Sequence, residues 1–186
     1  MRNPNEDYFF IIDEINRGNL SKIFGELMML MESDKHGEEF SIPLIYSPDN
    51  ISRFYIPKNL YIIGTMNTAD RSLAIVDYAL RRRFAFITLK PSYSQFFTGY
   101  LKAKKIPPLV INRIIDRMTY LNTIISDDRN LRNGFLIGHS YFCHPPTDED
   151  FEKWYSDVID FEIAPILKEY WFDDLTKAED QIQRLY

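Results

Sequence analysis

Asp13 and Glu14 stand side by side after the apolar run Tyr8-Phe-Phe-Ile-Ile12. Two adjacent carboxylates at a strand end have a definite chemical use. One can hold a divalent cation, through water as Mg2+ prefers. The other can orient and polarise a water that attacks a phosphoryl group. The same pattern also describes any strand that ends in a solvated acidic turn. Asn67 follows a second apolar run, Leu60 to Met66. Its amide can bond a phosphate oxygen or the attacking water, or it can satisfy its own turn backbone. Arg81, Arg82 and Arg83 cluster guanidinium groups that can neutralise charge on a phosphoryl group. They can also simply complement the C-terminal end of a helix dipole.

Elements must deliver these side chains to one place. The run Tyr8 to Ile12 is apolar at every position, which fits a strand buried on both faces of a parallel sheet. Asn16-Arg-Gly-Asn19 is a turn signal, and residues 21–32 carry Ile23, Leu27, Leu30 and Met31 at helical spacing. Residues 33–59 read as a hairpin-like insertion around two short pieces, Glu39–Ile42 and Phe54–Ile56. Residues 60–66 form a second strand, 72–81 a helix and 84–89 a third strand closed by Pro91. Strand and helix in alternation predict an α/β fold with a parallel sheet.

After Pro91 the period turns helical. Leu109, Ile111, Ile114, Ile115, Met118 and Leu121 mark one long helix. Thr147 is placed to cap another, Pro165 to kink or restart it, and Thr176-Lys-Ala-Glu179 to open a terminal one. The aromatic residues from Trp154 to Phe172 read as helical core, and Cys143 as an inert core thiol. The expected division is 1–91, an α/β piece, and 92–186, an all-helical piece.

Composition narrows the classes. The chain has 186 residues, 45% hydrophobic and 26% charged, with a formal net charge of −5. That balance argues against a free-standing nucleic-acid binder, which carries a basic face. One cysteine, Cys143, permits no internal disulfide and no Cys-based zinc site. No apolar run approaches the roughly 18 residues that suggest a transmembrane helix, so no membrane role and a cytoplasmic location are expected.

Three blocks, in order, carry a family likeness. They are Asp13-Glu-Ile-Asn-Arg-Gly-Asn-Leu-Ser-Lys-Ile-Phe-Gly-Glu-Leu27, Gly64-Thr-Met-Asn-Thr-Ala-Asp-Arg-Ser72 with Val76-Asp-Tyr-Ala-Leu-Arg-Arg-Arg-Phe84, and Ile137-Gly-His-Ser-Tyr-Phe142. The chain resembles the McrB-type AAA+ nucleoside triphosphatases over residues 8–172. The resemblance implies strands 3, 4 and 5 of an AAA+ sheet, followed by a helical lid. It makes Asp13-Glu14 the Walker B pair, with Asp13 on Mg2+ and Glu14 on the attacking water. It makes Asn67 the sensor-1 residue and Arg82 and Arg83 fingers toward the next subunit's nucleotide, Arg81 being the weaker choice. Asp70 and Arg71 would sit at the subunit seam, although Asp70 also suits a helix start. His139 would stand at the sensor-2 position, where Arg is usual; a packed or capping role is equally open.

The family also implies partners and cofactors: Mg2+ with GTP or ATP, a homo-oligomeric, hexameric ring, and a McrC-like nuclease subunit. DNA would be contacted mainly through a domain outside this sequence. The sequence contains no Gly-x-x-x-x-Gly-Lys-[Ser/Thr] loop, the cradle that supplies most phosphate binding. It is therefore expected to be a C-terminal fragment of the motor, inactive alone. Two alternatives stay open: a non-catalytic assembly module that donates Arg82 and Arg83 in trans, and a MoxR-like AAA+ chaperone, which shares the Asp-Glu-Ile-Asn-Arg start.

Overall fold

The computed structural model describes residues 3, 5–45, 53–67 and 81–186. The chain divides into two compact units, residues 1–87 and 88–186.

In the first unit, β1 (Tyr8–Ile12) pairs with a later strand, Leu60–Gly64, in parallel. The register runs from Tyr8 opposite Leu60 to Ile12 opposite Gly64. Backbone bonds carry the pairing past both strand ends: Thr65 N–H donates to Ile12 O at 3.0 Å, and Ile15 N–H to Thr65 O at 2.8 Å. Between these strands lie β2 (Ile42–Pro43) and β3 (Arg53–Phe54), which pair antiparallel, so Leu60–Gly64 is β4. The expected hairpin ladder is thus present but shorter than its sequence pieces, because Glu38–Phe40 forms a 3-10 turn.

Leu20–Phe24 is helix α1, opened by Asn19, whose side-chain oxygen accepts from Lys22 N at 3.0 Å. The expected helix over 21–32 breaks at Gly25, where φ is +47°, and continues as a 3-10 helix to Met31. A left-handed residue ends an α-helix, and glycine adopts it without a Cβ clash. Ile15, Leu20, Met28 and Met31 are buried together, with Ile12, Phe24, Ile62, Met66 and Phe84 packed against them.

Two sequence expectations need correction here. The run Tyr8 to Ile12 is not buried on both faces: Phe9, Phe10 and Ile11 are all exposed. Residues 84–89 form no strand, and Ile87 and Leu89 are exposed. The cause is shared. A strand needs a backbone partner on its edge and covered faces, and among the described residues β1 and β4 are the whole parallel sheet. The expected helix over 72–81 lies almost entirely outside the described residues.

The second unit is helical: α2 (Gln95–Ala103), α3 (Pro108–Asp127), α4 (Phe151–Val158), α5 (Ala164–Tyr170) and α6 (Leu175–Gln183). Pro108 starts α3, where its missing N–H costs nothing. Val110, Ile111, Ile114, Met118, Leu121 and Ile125 form the buried stripe of α3, spaced by three and four. Leu109, expected on that face, points to solvent. Asp150, not Thr147, caps α4, and Asp174, not Thr176, caps α6; each carboxylate accepts from the backbone N–H three residues on. A carboxylate at a helix start also meets the positive end of the dipole, an advantage a threonine hydroxyl lacks. Pro165 falls in the first turn of α5, just after a π-helical turn over Ile159–Ile163 that absorbs the break. Trp154, Tyr155 and Trp171 are core residues, whereas Phe161 and Phe172 are exposed.

Asp128 ties the end of α3 to the C-terminal helices. Its Oδ2 accepts from Lys177 Nζ at 2.7 Å and from Trp171 Nε1 at 2.9 Å, and Asn130 N donates to Oδ1 at 2.8 Å. Lys177 also lies over the Trp171 ring, 4.8 Å from its centroid. The bond from Lys177, helped by Trp171 and Asn130, holds the Asp128 carboxyl well below the usual carboxylate range. Its folded pKa is thus depressed, so its contribution to stability is complete above about pH 3.9, the ordinary value. That contribution fades as pH falls from there toward the folded pKa. Asp128→Asn is expected to lower stability by about 1–2 kcal/mol at pH 7 in urea denaturation. The gap between wild type and variant should narrow below pH 3; a gap that is constant with pH would contradict this assignment.

Candidate functional site

The parallel pairing of β1 and β4 puts the residues after each strand on one rim. Asp13 and Glu14 follow β1, and Thr65, Met66 and Asn67 follow β4. Ligands of open α/β sheets sit outside such carboxyl ends. The Thr65 hydroxyl ties the two strand ends together. It donates to Asp13 Oδ1 and accepts from Glu14 N–H at 3.2 Å. Asn16 Nδ2 reaches Asn67 O at 3.4 Å, a second link across the rim.

Glu14 has φ +52°, in the left-handed region that a non-glycine residue occupies at a cost of about 1 kcal/mol or more. Arg17 closes the turn. Its N–H donates to Glu14 O at 2.9 Å, and its Nε donates to Glu14 Oε2 at 2.6 Å. With Arg17 62% and Glu14 36% exposed, this ion pair is worth at most about 1 kcal/mol and is readily displaced. Gly64 is constrained by packing: a Cβ there would lie 2.7 Å from Ile15 Cδ1 and 3.2 Å from its Cγ2.

The arginine cluster is divided. Arg81 and Arg82 are exposed. Arg83 turns back into its own unit, where Nη2 pairs with Glu32 Oε1 at 2.9 Å and the side chain is 9% exposed. Glu32, Ser33 and Asp34 line a hollow of about 330 Å³ with Arg82 and Arg83. Of the two expected fingers, Arg82 is thus presented to solvent and Arg83 is held within the fold. Asp70 and Arg71 lie outside the described residues.

His139 belongs to the second unit. Its Nδ1 accepts from Ser92 N–H at 3.2 Å, and its ring stands edge-on to Phe97 at 5.6 Å and to Tyr93 at 6.3 Å. With Nδ1 accepting, the hydrogen sits on Nε2 in the neutral ring, which leaves one donor for a ligand. Asn122 holds Ile137, two residues before His139, on both sides: its Oδ1 accepts from Ile137 N at 2.7 Å and its Nδ2 donates to Ile137 O at 2.9 Å. Tyr93 Oη adds a bond to the same carbonyl at 3.1 Å. Cys143, partly buried, donates to His139 O at 3.5 Å, and burial pushes its thiol pKa up, away from reactivity.

Thr65 and Asn122 were missed in the sequence. A lone polar residue at a strand end or in a long helix carries no signal until its partners are placed beside it. Among the described residues no three His, Cys, Asp or Glu side chains cluster for a metal. A Mg2+ held with a nucleotide needs only one or two protein carboxylates beside phosphate and water oxygens. The rim, with Asp13 anchored through one oxygen, fits that modest demand.

Comparison with known proteins follows the same two parts. A family model described as AAA domain (dynein-related subfamily) matches residues 1–84. Another, described as McrB, alpha-helical lid domain, matches residues 113–179. The chain is 51% identical over 187 residues to the Type IV methyl-directed restriction enzyme EcoKMcrB subunit of Escherichia coli (strain K12), covering 98% of this chain and 40% of that protein. It is 31% identical over 96 residues to the Type II restriction enzyme BsuMI component YdiS of Bacillus subtilis (strain 168), covering 46% of this chain and 28% of that protein. The chain therefore spans less than half the length of either relative.

Removing the partner of a shielded charge is costly, because the charge left behind has lost its solvation. Glu32→Gln is accordingly expected to destabilise the first unit by about 1–3 kcal/mol. Thermal denaturation followed by circular dichroism measures this; an unchanged midpoint would show that Arg83 finds equal compensation elsewhere.

Proposed function

We propose, from the premise that this chain belongs to the McrB-type AAA+ family, that it forms the Walker B, sensor-1 and lid portion of a nucleoside-triphosphatase motor. The motor would serve a modification-dependent DNA restriction system. One observation carries the reading: the β1–β4 register, which sets Asp13, Glu14 and Asn67 on a single rim.

Roles follow from position. Asp13 would hold Mg2+, and Glu14, whose exposed pairing with Arg17 is weak, would polarise the attacking water. The Asn67 amide bonds the γ-phosphate or that water. Arg82, exposed beside the Arg83–Glu32 pair, reaches the nucleotide of a neighbouring subunit, where a guanidinium neutralises charge developing in the transition state. Arg83 supports it from within the fold. His139 Nε2–H is the donor that the lid offers to phosphate. Asp70 and Arg71 contribute at the seam between subunits. The bound Mg2+–nucleotide, GTP or ATP, supplies the reactive phosphoryl group.

The partners implied are further copies of the same motor in a closed ring, and a McrC-like nuclease subunit that carries the DNA-cutting chemistry. With no P-loop in its 186 residues, the chain by itself holds nucleotide only feebly. Tight, micromolar binding of GTP or ATP to the isolated chain in isothermal titration would overturn that part of the reading.

The catalytic assignment is tested by splicing this chain into the E. coli relative in place of the matching segment. The chimera is expected to hydrolyse GTP or ATP with Mg2+, assayed side by side to settle the preference. Glu14→Gln in it should lower turnover about 100-fold or more while nucleotide binding survives, the usual scale for a lost general base. Turnover equal to the unsubstituted chimera would remove Glu14 from the mechanism. Loss of hydrolysis on Arg82→Ala, restored by mixing with subunits that retain Arg82, would mark the finger as acting in trans.

A further inference from the structure

Beyond the carboxylates and the asparagine, we propose that Thr65 is the positioning residue of this rim, fixing the metal-binding carboxylate and the catalytic glutamate with one hydroxyl. The inference rests on the reading of Asp13 as the Mg2+ residue.

A hydroxyl has one hydrogen to give and lone pairs to receive. Thr65 uses both: it donates to Asp13 Oδ1 and accepts from the Glu14 N–H at 3.2 Å. Its own backbone is fixed on both sides, N–H to Ile12 O at 3.0 Å and O to Ile15 N–H at 2.8 Å. The hydroxyl therefore hangs from a rigid ladder, not from a loop. Two consequences follow. Asp13 is turned so that one oxygen is occupied, which leaves the other for a water on a cation. Glu14, whose backbone is left-handed at φ +52°, has its N–H held by the same hydroxyl at the start of that turn.

The side-chain requirement is narrow. Serine retains both bonds; valine matches the β-branched shape that suits the strand end and loses them. Alanine loses them without adding a branch. An asparagine or aspartate is longer and would displace the Asp13 carboxylate it must touch.

The test uses the full chain and Mn2+ as the probe. Paramagnetic broadening of the amide signals of residues 13–16 and 65–67 is titrated in wild type, Asp13→Asn, Thr65→Val and Thr65→Ser. The three-bond amide–Hα coupling of Glu14 is read in parallel, as it reports whether the positive φ persists. Broadening in wild type should vanish in Asp13→Asn. Thr65→Val should weaken Mn2+ about fivefold, the scale of one hydrogen bond, and shift the Glu14 coupling, and Thr65→Ser should restore both. A purely structural threonine would leave the Mn2+ affinity unchanged.

Each failure points to a different fault. Broadening that survives Asp13→Asn removes Asp13 as the metal residue, and the present inference falls with it. Broadening that depends on Asp13 but is identical in Thr65→Val and wild type overturns Thr65 alone, as does a serine variant that behaves like valine. Should Thr65→Val lose its dispersed spectrum, Thr65→Ala takes its place in the same comparison with serine.

Discussion

The parallel hydrogen-bonded pairing of β1 with β4 is the constraint on which the rest depends. Side chains in a strand alternate with a period of two, so a slip of one residue would turn every residue beyond the strand ends to the opposite face. The register with Ile12 opposite Gly64 leaves Asp13 next to Thr65. From that adjacency come the anchored Asp13 carboxylate, the bond from the Glu14 N–H to Thr65 and the placement of Asn67 on the same rim. Ile15 then folds back over Gly64, whose missing side chain makes room, and starts the small core of the first unit.

Charge in this chain is handled by pairing at different depths. Arg83 with Glu32, and Lys177 with Asp128, are pairs in which one member is largely buried. Arg17 with Glu14 is exposed and weak. The distinction matches the work each can do. Shielded pairs hold segments in place, one the arginine cluster and the other the C-terminal helices. The exposed pair, at the rim, can let go at little cost.

Much of this is legible in the sequence. The apolar runs at Tyr8 and Leu60, the long helix with its stripe at Ile111, Ile114, Met118 and Leu121, and the family blocks all have strong local patterns. The α/β class and the McrB-type AAA+ likeness came from them. What escaped the sequence depended on partners. Residues 84–89 have a strand's composition, but a strand is a relation between two segments, and among the described residues they join neither edge of the β1–β4 sheet. The break at Gly25 was hidden because apolar spacing looks alike in α and 3-10 turns. The caps at Asp150 and Asp174 lay next to acceptable alternatives, and only geometry separates these. At the rim, Asp13, Glu14 and Asn67 stand out by residue type, whereas Thr65 there, and Asn122 within the helical unit, act through contacts distant in sequence, and Arg83 is separated from Arg82 by a pairing with Glu32 that no spacing encodes.

The register itself can be measured in solution, with no ligand and no substitution. Scalar couplings across hydrogen bonds in an isotope-labelled chain report which amide donates to which carbonyl. The account expects couplings from the Ile15 amide nitrogen to the Thr65 carbonyl carbon and from the Thr65 amide nitrogen to the Ile12 carbonyl carbon. A Thr65 amide coupled instead to the carbonyl of Ile11 or Asp13 would mean a slipped register, and the shared rim would not exist.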